Sequence, residues 1–289
     1  MFSKSYFSQM LLPSNWSRKS EGTVRLHEHI NIIEQCSKEV TESISSNLII
    51  PYGTRPRERI HIIGSDLPKS SPIYIHFHGG YWQESIVTAE NNLLIAKHLY
   101  NNNIKTIIVG YELCPTVTLS EIADNVEKAL IICLEYAKTH ETKGIFLSGH
   151  SAGGQIVAML FKSFLPSLPV EDQSLFKKAF LLSGVFDLTA VQKSSLNDLL
   201  RLDETSALKE SPLHQNLKAS YCELVFVVAK YDSPKLIQQS EDMYLQTTKL
   251  GFKAEYIFLE NTDHFDLIEG YNDEENVLTK LVVKYCTNK

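Results

Sequence analysis

The 289-residue chain predicts an α/β fold, a mostly parallel central sheet with helices on both faces. Three observations carry that expectation. Apolar runs of strand length alternate with longer amphipathic stretches along most of the chain. The runs are continuous, as in Ile73-Tyr-Ile-His-Phe77 and Leu224-Val-Phe-Val-Val-Ala229, which suits strands buried on both faces. Finally, Gly149-His-Ser-Ala-Gly153 sets a serine between two glycines where an apolar run gives way to helical spacing, the pattern of a sharp strand-to-helix turn.

Taken in order, residues 1–22 are aromatic and polar, with Tyr6, Phe7 and Trp16 around Pro13, and show no strong period. From residue 22 to about 45, Leu26, Ile30, Ile33, Val40 and Ile44 recur at helical steps and describe an amphipathic helix. Residues 48–53 and 58–63 read as antiparallel strands around a turn containing Pro56. Residues 71–78 form the first strongly buried strand, followed by a helix over 89–100, a strand over 106–110 and a long helix over 120–140. The strand over 143–148 leads into the Gly-Ser-Gly turn, and a helix continues to about 165. Strands over 178–183, 223–229 and 254–259 and helices over 234–250 and 274–285 complete the alternation. Residues 188–219 read as a polar, loop-rich insertion. The whole of 1–289 is expected to be one domain, with an arm and helix over about 1–47 and the insertion over about 188–219 set to cover a site. Such a sheet binds ligands at the carboxyl ends of its strands.

The residues that carry chemistry fall at those ends. A turn this sharp strains the backbone at Ser151 and leaves no room for side chains beside it, hence the glycines. The hydroxyl is pushed into the open, and the following helix aims the Ala152 N–H and its positive dipole end at the same place. A plain glycine-rich turn with a serine cap would leave the same pentapeptide. A serine nucleophile needs a base and an orienting acid. Asp232, in Lys230-Tyr-Asp-Ser-Pro234, and His264, in Asn261-Thr-Asp-His-Phe-Asp266, each follow a strand and complete the order Ser, Asp, His. Asp263 and Asp266 are rival partners for His264, and Asp232 could instead cap the helix after it. His78-Gly79-Gly80 follows a central strand, and its glycines let consecutive N–H groups of Gly79 and Gly80 join Ala152 around an oxyanion. His76 and His78 share a strand face, but no third ligand has suitable spacing, so His78 is assigned to pinning the loop and no metal is expected.

Composition removes other classes. A net charge of −6, from 28 basic and 34 acidic residues without a basic stripe, argues against nucleic acid. No apolar run approaches the length of a membrane span, so no membrane partner is expected. The N-terminus lacks a continuous apolar core of signal-peptide length, and five scattered cysteines without a C-x-x-C pair suit reduced thiols; the expected setting is cytoplasmic. The sequon Asn15-Trp-Ser17 then carries no meaning.

Further stretches fix a resemblance. His78-Gly-Gly-Tyr-Trp82, Gly149-His-Ser-Ala-Gly153, Tyr231-Asp-Ser-Pro234 and Asp263-His-Phe-Asp266 together resemble the eukaryotic kynurenine formamidase (arylformamidase) family, in the hormone-sensitive-lipase-like branch of the α/β-hydrolases. Leu12-Pro-Ser-Asn-Trp16, Pro51-Tyr-Gly53, Ser183-Gly-Val-Phe-Asp-Leu188 and Ser195-Leu-Asn-Asp198 with Arg201 extend the likeness over most of the chain. The resemblance implies the α/β-hydrolase fold and hydrolysis of N-formyl-L-kynurenine to L-kynurenine and formate. It maps Ser151, Asp232 and His264 onto a triad, and Gly79, Gly80 and Ala152 onto an oxyanion hole, with no cofactor. Tyr81 and Trp82 could stack on the substrate's ring, with ordinary core packing as the bland alternative. Arg201 and Asn197 are candidates for the substrate's amino-acid group. The partner expected is a small molecule, with a homodimer left open. A carboxylesterase for short acyl esters and a non-catalytic binding protein of the same fold are the rival readings.

Overall fold

The computed structural model describes residues 2–287; residue 1 of the arm and residues 288 and 289 lie outside them. Eight strands form one sheet: β1 (Asn47–Pro51), β2 (Arg59–Ile63), β3 (Ile73–Phe77), β4 (Lys105–Val109), β5 (Ile145–His150), β6 (Phe176–Leu182), β7 (Glu223–Tyr231) and β8 (Ala254–Asp263). Their order is β1-β2-β4-β3-β5-β6-β7-β8. The pairings of β2 with β1 and with β4 are antiparallel, and all the others are parallel.

Strand periodicity sorts the apolar side chains into two cores. Ile73, Ile75 and Phe77 of β3, Leu147 of β5, Leu181 of β6 and Phe226 of β7 face one side, with the helices Leu119–Thr139, Ala152–Met159 and Pro234–Lys249 over them. Tyr74, Phe146, Phe180 and Val227 face the other, against the helices Gly22–Ser43, Ala96–Asn101 and Val277–Thr287. Both faces being covered is what makes the central strands read as unbroken apolar runs.

Three stretches depart from the sequence reading, each for a local reason. The helix expected over 89–100 opens as a 3-10 turn, Glu90–Ile95, before the α-helix Ala96–Asn101. Asn91 and Asn92 bond back to the carbonyls of Ile86 and Thr88, drawing the backbone away from α-geometry. The helix after Ser151 ends at Met159, and short helices Phe164–Ser167 and Val170–Gln173 follow. Pro166 and Pro169 break the continuation. The insertion over 188–219 is irregular over about half its length, as read, but also carries short helices at Thr189–Gln192, Asn197–Leu200 and Glu204–Lys209 and a 3-10 turn at Pro212–His214. Its sparse apolar residues Leu188, Val191, Leu196, Leu200 and Ala207 are buried in the first core, and helices this short give too few turns for a period to show.

The aperiodic arm is ordered too. Ser3 caps a helix, Lys4–Leu11, whose single buried residue is Leu11. A 3-10 turn at Pro13–Asn15 then leads the chain back across the sheet's carboxyl end.

Candidate active site

Ser151 stands between β5 and the helix Ala152–Met159 with φ 55° and ψ −115°. A residue other than glycine held there costs about 1–3 kcal/mol, which the surroundings must over-determine. They do so by close backbone packing. A Cβ on Gly149 would sit 2.1 Å from the Gly153 carbonyl oxygen, and one on Gly153 would sit 2.0 Å from that of Phe77 at the end of β3. Only glycine fits either place, so the turn is pressed onto its neighbours without side chains. Ser151 N–H donates to the Leu182 carbonyl at 2.9 Å, tying the turn to β6 as well.

His264 follows β8, and its Nδ1 lies 2.7 Å from Asp232 Oδ2, both side chains being buried. Nδ1–H donates to the carboxylate, which leaves Nε2 with its lone pair and no protein partner among the described residues. Asp232 also accepts the Ser233 N–H at 2.6 Å. It does not cap the next helix: Ser233 does, through Leu236 N–H. The rival carboxylates are engaged elsewhere. Asp263 accepts from Arg25 Nε at 2.8 Å and from Ser17 Oγ at 2.6 Å, and Asp266 pairs with Lys19.

Ser151 and His264 line one cavity of about 100 Å³ with Gly79, Gly80 and Tyr81. Gly80 turns there at φ 99°, and the N–H groups of Gly79, Gly80 and Ala152 donate to no protein acceptor among the described residues. His78 anchors this turn: its ring stacks on Tyr111 with centroids 4.2 Å apart, and its Nδ1–H donates to the Gly79 carbonyl at 2.9 Å. Tyr111 OH donates to the His78 carbonyl at 2.7 Å. Burial holds His78 at about 4 and His76 at about 3, so both rings are neutral, and His76 Nδ1 shares a hydrogen bond with Ser148.

Other sequence candidates land differently. Tyr81 does line the cavity, with its hydroxyl donated to the Leu11 carbonyl of the arm at 2.6 Å. Trp82, for which the sequence leaves open stacking on the substrate's ring or ordinary core packing, is fully buried and lines a separate cavity with Gln155, Met159 and Glu210; its ring meets that of Tyr81 edge-on, centroids 6.1 Å apart. Asn197 spends its amide on the Leu202 backbone, while Arg201 is an exposed left-handed helix cap. Neither lines the Ser151 cavity; the insertion contributes Leu196 instead.

Residues without a motif complete the site. His150, between Gly149 and Ser151, donates Nε2–H to the His264 carbonyl at 2.9 Å and is kept neutral by burial and by the neighbouring His264. Its place inside the Gly-x-Ser-x-Gly pattern was the one available signal. Arg25, 1% exposed, holds both Asp263 and Glu269, and Glu269 in turn bonds His29 in the cavity wall. Burial alone would raise the Asp263 and Glu269 carboxyls, but for Asp263 the bonds from Arg25 and Ser17, and for Glu269 those from His29 and Arg25, outweigh it and hold both at about 2. No spacing links Arg25 to residue 263.

Ser151 is 2% exposed, so its hydroxyl faces the cavity and not the open solvent that the sharp turn suggested. A strained serine after a central strand, with a buried Asp–His pair at the same edge, belongs to a hydrolytic class of parallel-sheet proteins, and comparison agrees. The profile of the alpha/beta hydrolase fold matches residues 74–265, and the chain belongs to that family. It is similar to kynurenine formamidase from Salmo salar, 29% identical with 97% of this chain and 96% of that one covered. Kynurenine formamidase from Danio rerio is 29% identical over 94% of this chain and 92% of its own. Among solved structures, a hyperthermophilic esterase from the archaeon Pyrobaculum calidifontis superposes with a TM-score of 0.72, at 16% identity over 92% and 93% of the two chains.

Proposed function

We propose that this chain is a serine hydrolase that cleaves N-formyl-L-kynurenine to L-kynurenine and formate. The observation that carries the reading is the 2.7 Å Asp232–His264 pair beside a cavity shared by His264, Ser151 and the glycine turn. The formamidases from Salmo salar and Danio rerio, similar over almost the whole chain, supply the substrate.

In this mechanism Ser151 Oγ attacks the formyl carbon while His264 Nε2 takes its proton. Asp232 keeps the proton on Nδ1, fixes the ring's tautomer and stabilises the imidazolium. Negative charge moves to the formyl oxygen, where the free N–H groups of Gly79, Gly80 and Ala152 and the helix N-terminus receive it. His264 then protonates the departing aryl nitrogen, breaking the C–N bond and leaving a formyl ester on Ser151. Water gives a proton to His264, attacks that ester, and formate leaves as the proton returns to Ser151. A cavity of about 100 Å³ suits so small an acyl group. For the setting we propose the cytoplasm, to which five unpaired cysteines are suited.

The test is formate release from N-formyl-L-kynurenine by the purified protein, beside p-nitrophenyl acetate. Formamide turnover is expected to dominate, and Ser151→Ala should lose at least about 10³-fold in kcat with its melting temperature retained. A strong ester preference would replace the substrate, and full activity in Ser151→Ala would remove the mechanism.

A further inference from the structure

Among the described residues, Glu84 is the one carboxylate in the wall of the Ser151 cavity, and no Lys or Arg lines it. Half-buried, Glu84 has no ion pair or side-chain hydrogen bond among the described residues. It is also fixed close to the glycine turn. Its N–H donates to the Gly80 carbonyl at 2.8 Å, and a Cβ added to Gly80 would stand 3.1 Å from Glu84 Cβ. An unneutralised carboxylate beside amides that await an oxyanion works against the charge they are meant to receive. Of the wall's three histidines, burial keeps His29 and His150 uncharged, and His264 is bonded to Asp232.

Asn92, 2% exposed, is a second acceptor in the same wall. Its Nδ2 donates to the Thr88 carbonyl at 2.8 Å, which sets the amide's orientation and leaves Oδ1 without a donor among the described residues. Two acceptors without donors, one of them anionic, call for a ligand that brings hydrogen-bond donors and positive charge. A primary ammonium meets both needs and cancels the opposing field when the substrate is bound.

We propose that Glu84, with Asn92 Oδ1, is the ammonium subsite of this cavity and selects substrates whose leaving group carries a primary ammonium. The inference rests on the formamidase reading and names the part of that substrate, its α-amino group, which Arg201 and Asn197 do not meet.

The experiment measures kcat/KM for N-formyl-L-kynurenine and for its des-amino analogue, which keeps the formanilide and the carboxylate. The wild type is expected to prefer the amine-bearing substrate by about tenfold or more, chiefly through KM, as for a hydrogen bond to a charged group. In Glu84→Gln that ratio should fall toward one, and Glu84→Asp should restore part of it. Equal ratios in wild type and Glu84→Gln overturn the subsite. If the glutamine variant does not fold, the wild-type ratio decides alone, and a value near one overturns it. Loss of the formamidase reading shows separately, as a wild type that cleaves neither formanilide.

Discussion

The two halves of the site are held in place by opposite means. Around Ser151 the fit is backbone against backbone: Gly153 lies where any Cβ would come within 2.0 Å of the Phe77 carbonyl oxygen, and Ser151 is held beside it at a strained φ of 55°. Around His264 the fit is charge against charge, with Arg25 reaching from the helix Gly22–Ser43 to Asp263 at 2.8 Å and to Glu269 at 2.8 Å. Asp263 uses its remaining capacity on the N–H groups of Phe265 and Asp266, which closes the loop on either side of the imidazole. The lesson is that a serine in a tight turn is fixed by what its neighbours lack, whereas a histidine on a loop must be fixed by what distant segments supply.

Gly153→Ala breaks the first half and carries the largest expected effect. The obstruction is backbone of the central strand β3, which cannot swing aside as a side chain can. A cost above about 4 kcal/mol follows, a large part of a domain's 5–15 kcal/mol, so soluble yield should collapse. Normal expression with a melting temperature near wild type would show that the turn has slack.

Arg25→Met breaks the second half. It leaves the buried Asp263 without its main partner and Glu269 with only His29 and the exposed Lys19, at a cost of about 3–5 kcal/mol. The pH dependence identifies the cause. Both carboxyls sit near 2 in the fold, below the ordinary range of about 4, so their stabilisation is complete above about pH 4.5 and is lost as pH falls toward 2. Without Arg25 that stabilisation is largely absent at neutral pH. Denaturation from pH 7 to 3 should therefore show the gap between variant and wild type narrowing as acid is added. A constant gap would mean that Arg25 acts by packing alone, for instance over the Phe265 ring 4.9 Å away.

The same contrast explains what the sequence could and could not disclose. Ser151, its glycines and the turn at Gly79 and Gly80 are legible because the constraint is local, and the residue types that satisfy it adjoin each other. The sheet was legible for a related reason, since burial on two faces writes itself as continuous apolar runs. Arg25 was not, because its partners lie 238 and 244 residues away and an arginine on an amphipathic helix looks like any solvated charge. An arm set to cover a site was expected from the sequence, but the contacts that anchor it were hidden likewise. They are scattered polar contacts, from Ser233 Oγ to the Met10 carbonyl, from Tyr81 OH to that of Leu11, from Ser17 Oγ to Asp263 and between Lys19 and Asp266, which leave no periodic trace. Trp82 shows the converse: adjacency to a motif left the substrate's ring and the core both open to it, and the structure buries it in the core.

The smallest effect expected comes from Lys19, which tests whether burial, and not charge, separates the two cations that face this acidic loop. Lys19 pairs with Asp266 and lies 3.6 Å from Glu269, but its side chain is 56% exposed where that of Arg25 is 1%. Water and salt screen the exposed pair, and a long flexible side chain gives up rotamer freedom to form it. Lys19→Met should therefore cost only about 0.2–1 kcal/mol, and the loss should shrink in 1 M salt, where the screening length falls to about 3 Å. The Arg25→Met deficit should barely move with salt. If Lys19→Met instead costs as much as Arg25→Met, the loop is held by its total positive charge, and the buried fork of Arg25 has no special part in setting His264 against Asp232.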